Sequence, residues 1–156
     1  TAQSQEALAD VRRIVAATRA LSPAEELAEA RSLLEIARID ADIVDSGEPP
    51  SGPRSSAAAH VIREGVTNAL LHSKPTRVSI TLSPAGVRVV SDGYSPDYAA
   101  STAGSGSGLQ GLAELVGDEG ELSWGPEGKE WTLALSFPEA DAAAAPDEVP
   151  KANKPR

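Results

Sequence analysis

Hydrophobic residues recur at helical spacing over residues 55–73, and the polar positions among them are chemically mixed. Glu64, Asn68 and His72 are four residues apart, so they would form one stripe along a helix. A solvated face could be built from Lys, Arg and Glu alone, whereas this stripe combines a carboxylate, an amide and an imidazole. The opposite face of the helix would be apolar and contains Val61, Ile62, Val66, Ala69 and Leu70.

Two further helices are predicted upstream of this one. In residues 5–21, apolar positions alternate in spacings of four and three, which indicates either a single amphipathic helix or part of a dimerisation helix. This seam contains Ala7, Val11, Ile14, Thr18 and Leu21. The sequence SPAE at residues 22–25 then supplies an N-cap, a proline in the first turn and a glutamate three residues after the cap. The helix that it starts would bury Leu27, Ala30, Leu34 and Ala37.

Short alternating runs between turn residues predict five strands. Glycine and proline turns join four of them into two hairpins, and a longer loop precedes the helix over 55–73, which Ser55 or Ser56 would cap. Residues 93–108 are expected to be a glycine- and serine-rich loop before a short helix over 109–116. This order favours an α+β fold with a mixed, mostly antiparallel sheet and helices on one face. The predicted strands are 39–44, 77–82, 87–91, 121–124 and 130–137.

Composition and charge narrow the classes of function. The chain has 156 residues, enough for one domain with a hydrophobic core, and a net charge of −9. That charge argues against general nucleic-acid binding, but a single nucleotide needs only local donors. Cysteine is absent, which excludes thiolate metal sites and is compatible with a cytosolic setting. No apolar run approaches membrane-spanning length. Because the chain begins at Thr1 and contains no Met, we expect it to be part of a longer protein.

The stretch Gly104-Ser105-Gly106-Ser107-Gly108-Leu109 is a candidate anion site. Glycine allows a ligand to approach the backbone, and the following helix would present its positive dipole end. A flexible linker has the same composition, and the stretch lacks the lysine of a Walker loop.

The polar stripe would complement such an anion site. The Asn68 oxygen is a suitable ligand for Mg²⁺, and a carboxylate one turn away could orient or deprotonate an attacking group. By spacing alone, however, an ordinary polar helix edge is the favoured interpretation.

Taken in order, the motifs resemble those of the GHKL ATPase superfamily. The chain has E-x-x-x-N on a helix, a hairpin that ends in Asp92-Gly93, and G-x-G-L at the start of a later helix, and the match in order and spacing extends over residues 24–137. REGVTNALLHS, GSGLQGLAELV and GKEWTLALSFP are most similar to two-component sensor histidine kinases, in the short-lid subgroup common in high-GC bacteria. The resemblance implies a Bergerat-type two-layer α/β sandwich that binds ATP and Mg²⁺.

The resemblance also implies a domain organisation. Residues 1–22 resemble the end of a dimerisation and phosphotransfer helix, residues 23–138 would form the catalytic domain, and residues 139–156 are expected to be a disordered tail. The expected partners are the dimerisation and phosphoacceptor domain of the same protein and a response regulator, with a homodimer in the full-length protein. For this chain, neither nucleic acid nor membrane contact is expected. The expected location is the cytoplasm, as the cytosolic part of a membrane-anchored or soluble bacterial sensor.

In catalysis, the resemblance assigns three roles to the stripe. Asn68 would coordinate the Mg²⁺ that bridges the ATP phosphates. Glu64 would assist through a metal-bound water or as a base, and His72 would lie near the phosphates.

Nucleotide binding would involve two further segments and one strand residue. The adenine turn would contain Ser91, Asp92 and Gly93. The lid hinge and phosphate cradle would contain Gly104, Gly106 and Gly108, with Leu109 packed behind them. Thr132 would lie on a strand that passes beneath the adenine pocket.

Three departures from the family pattern put parts of this assignment in doubt. Ser91 stands where the family has the aspartate that binds the adenine amino group, so either Asp92 takes over that contact or Ser91 makes it through a water. Ser95 replaces the second glycine of the same motif. Leu71 replaces a basic residue that touches the phosphates. Lys74 and Arg77 are nearby candidates for the replacement charge, although a solvated side chain is the favoured interpretation of each.

A phosphoacceptor histidine is also missing, since none precedes His60 and both histidines belong to the candidate site helix. This chain alone is therefore expected to bind ATP without autophosphorylation. A pseudokinase or interaction module remains the alternative. A serine kinase of the anti-sigma-factor type is disfavoured by the seam at Val11 and Ile14.

Overall fold

The computed structural model describes residues 21–104 and 107–138. The predicted helix over 5–21 and the predicted tail therefore lie almost entirely outside the described residues, as does Gly106. Within the described residues, no helix combines the length and the apolar character needed to span a membrane. In chain order the elements are α1 (Pro23–Ile36), β1 (Asp40–Asp45), α2 (Pro53–His72), β2 (Arg77–Ser83), β3 (Gly86–Ser91), α3 (Pro96–Ser101), α4 (Ser107–Val116), β4 (Glu121–Glu127) and β5 (Glu130–Ser136).

One five-stranded sheet organises these elements, in the order β1-β2-β3-β5-β4. β1 pairs with β2 in parallel, and the other three pairings are antiparallel. Side chains alternate between the two faces of each strand, so the pairing register decides which ones share a face. The face that is covered by the helices carries Val78, Ile80, Leu82, Val87, Val89, Leu133 and Leu135, all of them buried. The predicted mixed, mostly antiparallel sheet is confirmed.

The long helix α2 packs across the middle of this face. Gly65 allows the close approach, because a Cβ atom there would lie 2.8 Å from Cβ of Val89. All but one of the residues of the predicted apolar face are buried, and Leu70 is partly buried against them. α1 packs beside α2 and buries Leu27, Ala30 and Leu34 as predicted. Ala37 is exposed, contrary to prediction, because α1 ends at Ile36 and Ala37 is its C-cap.

Several element boundaries differ from the sequence prediction. α2 begins at Pro53, and neither Ser55 nor Ser56 caps it, since the N-cap is Gly52 without a side-chain hydrogen bond. The predicted loop over 93–108 contains the helix α3, which was missed. Its N-cap Ser95 accepts a hydrogen bond from the backbone N–H of Tyr98 at 3.4 Å, and a proline follows the cap. This serine–proline start is the same signal that correctly predicted α1.

Candidate functional site

The polar stripe of α2 opens into a cavity with a volume of about 400 Å³. Glu64, Asn68 and His72 form one wall, and Gly104, Gly108 and Leu109 belong to the opposite wall, at the end of the loop after α3 and the start of α4. Tyr94 and Trp131 supply aromatic surface at another side. The structure therefore brings together six of the predicted site residues around one space.

Glu64 lies directly against the start of α4. A Cβ atom on Gly108 would be 2.5 Å from Oε2 of Glu64, so a side chain there would require the Glu64 carboxylate to move. Burial raises the pKa of the Glu64 carboxyl above its usual value. A hydrogen bond with the Asn68 side chain and the nearby His72 lower the pKa in part. A cation bound nearby would stabilise the ionised form of this carboxyl group.

The oxygen donors of the stripe fit Mg²⁺ rather than a metal held by protein alone. Among the described residues, no three or more His, Asp or Glu side chains cluster in a way that could hold a metal ion. Asn68 and Glu64 nevertheless present an amide oxygen and a carboxylate to the same cavity. Mg²⁺ prefers such oxygen ligands, and one or two of them suffice when substrate phosphates and water complete its shell. The donor set therefore fits a magnesium ion that arrives with a phosphate ligand.

His72 connects the cavity wall to α3. Its Nδ1 atom lies 2.8 Å from Oγ1 of Thr102, the C-cap of α3. Two residues further along, Nζ of Lys74 lies 4.8 Å from the centre of the Tyr98 ring, a cation–π distance. The sequence interpretation missed both Thr102 and Tyr98, although the serine–proline start of α3 could have indicated a helix beside the site.

Positive charge is scarce around this cavity. Neither Lys nor Arg occurs among the described residues that line it, and Leu71 is 56% exposed there. Nearby basic side chains have other contacts: Lys74 lies over Tyr98, and Nη2 of Arg63 donates to Oε2 of Glu26 on α1 at 2.7 Å. The charge of a bound polyphosphate would thus be balanced mainly by its metal and by the α4 dipole.

Asp92 supports the backbone and does not line the cavity. Oδ1 of Asp92 accepts hydrogen bonds from the backbone N–H groups of Thr76 at 2.7 Å and Arg77 at 3.1 Å, and Oδ2 accepts from the Thr76 hydroxyl at 2.6 Å. Partial desolvation raises the pKa of the Asp92 carboxyl, but these hydrogen bonds outweigh it and leave the pKa below its usual value. Three of the four acceptor positions of the Asp92 carboxylate are therefore in use within the fold.

The neighbours of Asp92 are equally constrained. Gly93 has a φ of 73°, and a Cβ atom there would collide with the carbonyl oxygen of Lys74. Ser91 is only 2% exposed, pairs with Trp131 across the sheet and lies on the helix-covered face. The turn predicted to receive adenine is thus a tight junction between the ends of β2 and β3, and none of its three residues lines the cavity.

Trp131, not Thr132, reaches the cavity from β5. Thr132 pairs with Val90 and Gly125, while its neighbour Leu133 is buried under the helices. Because adjacent residues of a strand point to opposite faces, Thr132 lies on the face away from α2. The expected place of Thr132 beneath the pocket is therefore corrected by one residue.

Comparison with known proteins identifies the fold. No protein-family model matches the chain, and no curated protein sequence does. The cytoplasmic segment of histidine kinase QseC superposes with a TM-score of 0.54 at 15% identity, over 74% of this chain and 71% of that one. Histidine kinase AdeS of Acinetobacter baumannii has a TM-score of 0.51 at 13% identity, over 72% of this chain and 60% of that one.

A third similar structure is the histidine kinase domain of the blue-light activated kinase EL346 from Erythrobacter litoralis. Its TM-score is 0.54 at 18% identity, over 76% of this chain and 61% of that one. The fold is thus the α+β fold of histidine kinases, as the sequence motifs predicted.

Proposed function

We propose that residues 23–138 form the ATP-binding catalytic domain of a sensor histidine kinase, which positions Mg·ATP for transfer of its γ-phosphoryl group to a histidine outside this chain. The observation that carries this proposal is the cavity in which Glu64, Asn68 and His72 face Gly108 at the start of α4. The fold shared with histidine kinases supports it.

Each wall of the cavity would contribute to positioning. Asn68 would offer its amide oxygen to Mg²⁺, which when bound neutralises phosphate charge and holds the phosphates in place. Glu64 would hold a water of the metal shell or take a proton, for which its raised pKa is suited. The start of α4 would face the phosphates with its positive dipole end. Such catalysis consists mainly of positioning and charge stabilisation.

Calorimetry with Mg²⁺ and a non-hydrolysable ATP analogue tests the proposal. The wild-type chain should bind the analogue, and Asn68→Ala should weaken binding at least tenfold. Gln110→Ala is a matched control, because Gln110 is the only other amide side chain among the described residues and is exposed on α4 away from the cavity. Absence of binding by the wild type, or equal binding by Asn68→Ala, would refute the proposal.

A nucleotide-binding pseudokinase is the second candidate. Two observations favour it. The described residues that line the cavity include neither Lys nor Arg. In addition, the Asp92 carboxylate accepts hydrogen bonds from the backbone N–H groups of Thr76 and Arg77. A phosphoacceptor helix supplied in trans decides between the two. Transfer of labelled γ-phosphate to its histidine excludes the pseudokinase, whereas nucleotide binding without transfer to the histidine of a cognate phosphoacceptor helix supports it.

The proposed function implies particular partners. A histidine kinase catalytic domain acts on a dimerisation and phosphoacceptor domain of the same protein, and the phosphoryl group then passes to a response regulator. The proposal therefore includes a homodimeric full-length protein and a cytoplasmic location. The similar QseC structure is a cytoplasmic segment of that kinase.

A further inference from the structure

Two side-chain contacts tie α3 to the C-terminal end of α2. One joins Nδ1 of His72 to Oγ1 of Thr102 at 2.8 Å, and the other places Nζ of Lys74 over the Tyr98 ring. Both connect the wall that carries the polar stripe to the helix that precedes the glycine-rich loop. The orientation of the His72 ring is therefore coupled to the position of α3.

The Thr102 hydroxyl has a single proton and two carbonyl oxygens within reach. Its Oγ1 atom lies 3.1 Å from the backbone oxygen of Tyr98 and 3.3 Å from that of Ala99. Threonine often donates to carbonyl groups three or four residues earlier in a helix. A hydroxyl group donates only one hydrogen bond. When the Thr102 hydroxyl donates to either carbonyl oxygen, it must therefore accept a hydrogen bond from its third neighbour, His72. Nδ1 of His72 then carries the ring proton.

We propose that Thr102 is a positioning residue that fixes the tautomer of His72. With Nδ1–H donated to Thr102, Nε2 is the nitrogen left for a ligand in the cavity. It accepts a hydrogen bond from water when the ring is neutral and donates one to a phosphate oxygen when the ring is charged. The ligand role of His72 rests on the proposed function, whereas the tautomer does not require a nucleotide.

Nitrogen-15 NMR of the histidine rings, at a pH where they are neutral, tests this assignment directly. The chain has only two histidines, so His72→Gln assigns both ring spectra. Wild-type His72 should show a protonated Nδ1, and Thr102→Val should abolish that preference while Thr102→Ser retains it. Ser101→Ala is the matched control, because the Ser101 hydroxyl donates to the same Tyr98 carbonyl at 2.8 Å without touching His72.

Nucleotide affinity supplies the second measurement. Loss of one hydrogen bond that orients His72 should weaken Mg²⁺-dependent binding of an ATP analogue about fivefold in Thr102→Val. Thr102→Ser should restore affinity to within about twofold of the wild type. A wild-type ring protonated on Nε2, or an unchanged tautomer in Thr102→Val, overturns the inference. If the wild type binds no nucleotide, the proposed function fails, while the ring spectra still decide what Thr102 does.

Discussion

The Glu64 carboxylate lies against the backbone of Gly108, so closely that a single added carbon on Gly108 would overlap it. This contact joins α2 to the start of α4 across the candidate phosphate site. With any other residue at position 108, the Glu64 carboxylate could not keep this place, because it and the new side chain would occupy the same space.

Gly108→Ala should therefore weaken Mg²⁺-dependent nucleotide binding at least tenfold, because the new methyl group displaces Glu64 or moves α4. Gly104→Ala is the matched control, since a Cβ atom there would meet no atom within 4 Å although Gly104 lines the same cavity. Calorimetry on both variants, with circular dichroism to verify folding, checks the prediction. Equal losses in the two variants would show that general stiffening of the loop, rather than the Glu64 contact, matters.

Glu64 should lower the stability of the ligand-free protein at neutral pH. Its folded-state pKa is raised, so the folded state binds more protons than the unfolded state between the usual value of 4.5 and the raised one. Stability contributed by this group therefore falls as pH rises through that window. Glu64→Gln keeps the shape and a hydrogen-bonding partner for Asn68 but removes the charge.

We expect Glu64→Gln to melt a few degrees above the wild type at pH 7.5 and to lose this advantage below pH 4.5, in thermal unfolding without ligand. The same variant should bind Mg·nucleotide more weakly, because the carboxylate near the metal is gone. Glu114→Gln, a charge change on the exposed side of α4, should leave both quantities unchanged. A variant less stable than the wild type at pH 7.5 would contradict the assignment of Glu64 as a strained, functional carboxylate.

Trp131 should report nucleotide binding by fluorescence. The chain has two tryptophans. Trp131 lines the cavity, whereas Trp124 is 43% exposed on β4 and does not line it. Addition of Mg·ATP analogue should therefore still change the emission of Trp124→Phe, and the change should disappear in Trp131→Phe.

Thr132→Ala tests which face of β5 contributes to the nucleotide site. Because Thr132 lies on the opposite face of the sheet, its replacement should alter nucleotide affinity by less than about twofold. A large loss of affinity in Thr132→Ala with none in Trp131→Phe would support the original sequence assignment and contradict the observed pairing.

The elements predicted well from sequence are those with a strong hydrophobic period. α2 and the central strands β2, β3 and β5 bury one face, so their apolar spacing alone shows their type. α3 buries no residue and therefore leaves no such period, although its serine–proline start was visible in the sequence. The hydrogen bond between His72 and Thr102 joins residues 30 positions apart, and no local pattern indicates it.

Site residues were predicted less evenly for related reasons. The stripe on α2 follows from helical spacing and the family motif together, and its members do face one cavity. On β5, however, neighbouring residues lie on opposite faces of the sheet, so the family resemblance that assigned Thr132 does not by itself distinguish it from Trp131, which lines the cavity. Asp92 looked available for a ligand because its hydrogen bonds to Thr76 and Arg77 depend on tertiary structure.

The final prediction concerns the missing positive charge at Leu71. Leu71 lines the cavity, and its side chain is 56% exposed. A longer polar side chain could therefore be accommodated in its place. Leu71→Lys would add a cation to a cavity whose described lining residues include neither Lys nor Arg. An exposed charge pair contributes up to about 1 kcal/mol, so affinity for Mg·ATP should rise up to about fivefold at low salt.

Leu115→Lys is the matched control, since Leu115 is 40% exposed on α4 and does not line the cavity. The affinity gained in Leu71→Lys should diminish as ionic strength rises, because exposed charges are screened over about 8 Å at physiological salt. Equal gains in both variants would indicate only a change in overall charge, since each adds one cation to a chain with a net charge of −9. A gain confined to Leu71→Lys would show that phosphates lie beside α2 and that Leu71 limits the natural affinity of the site.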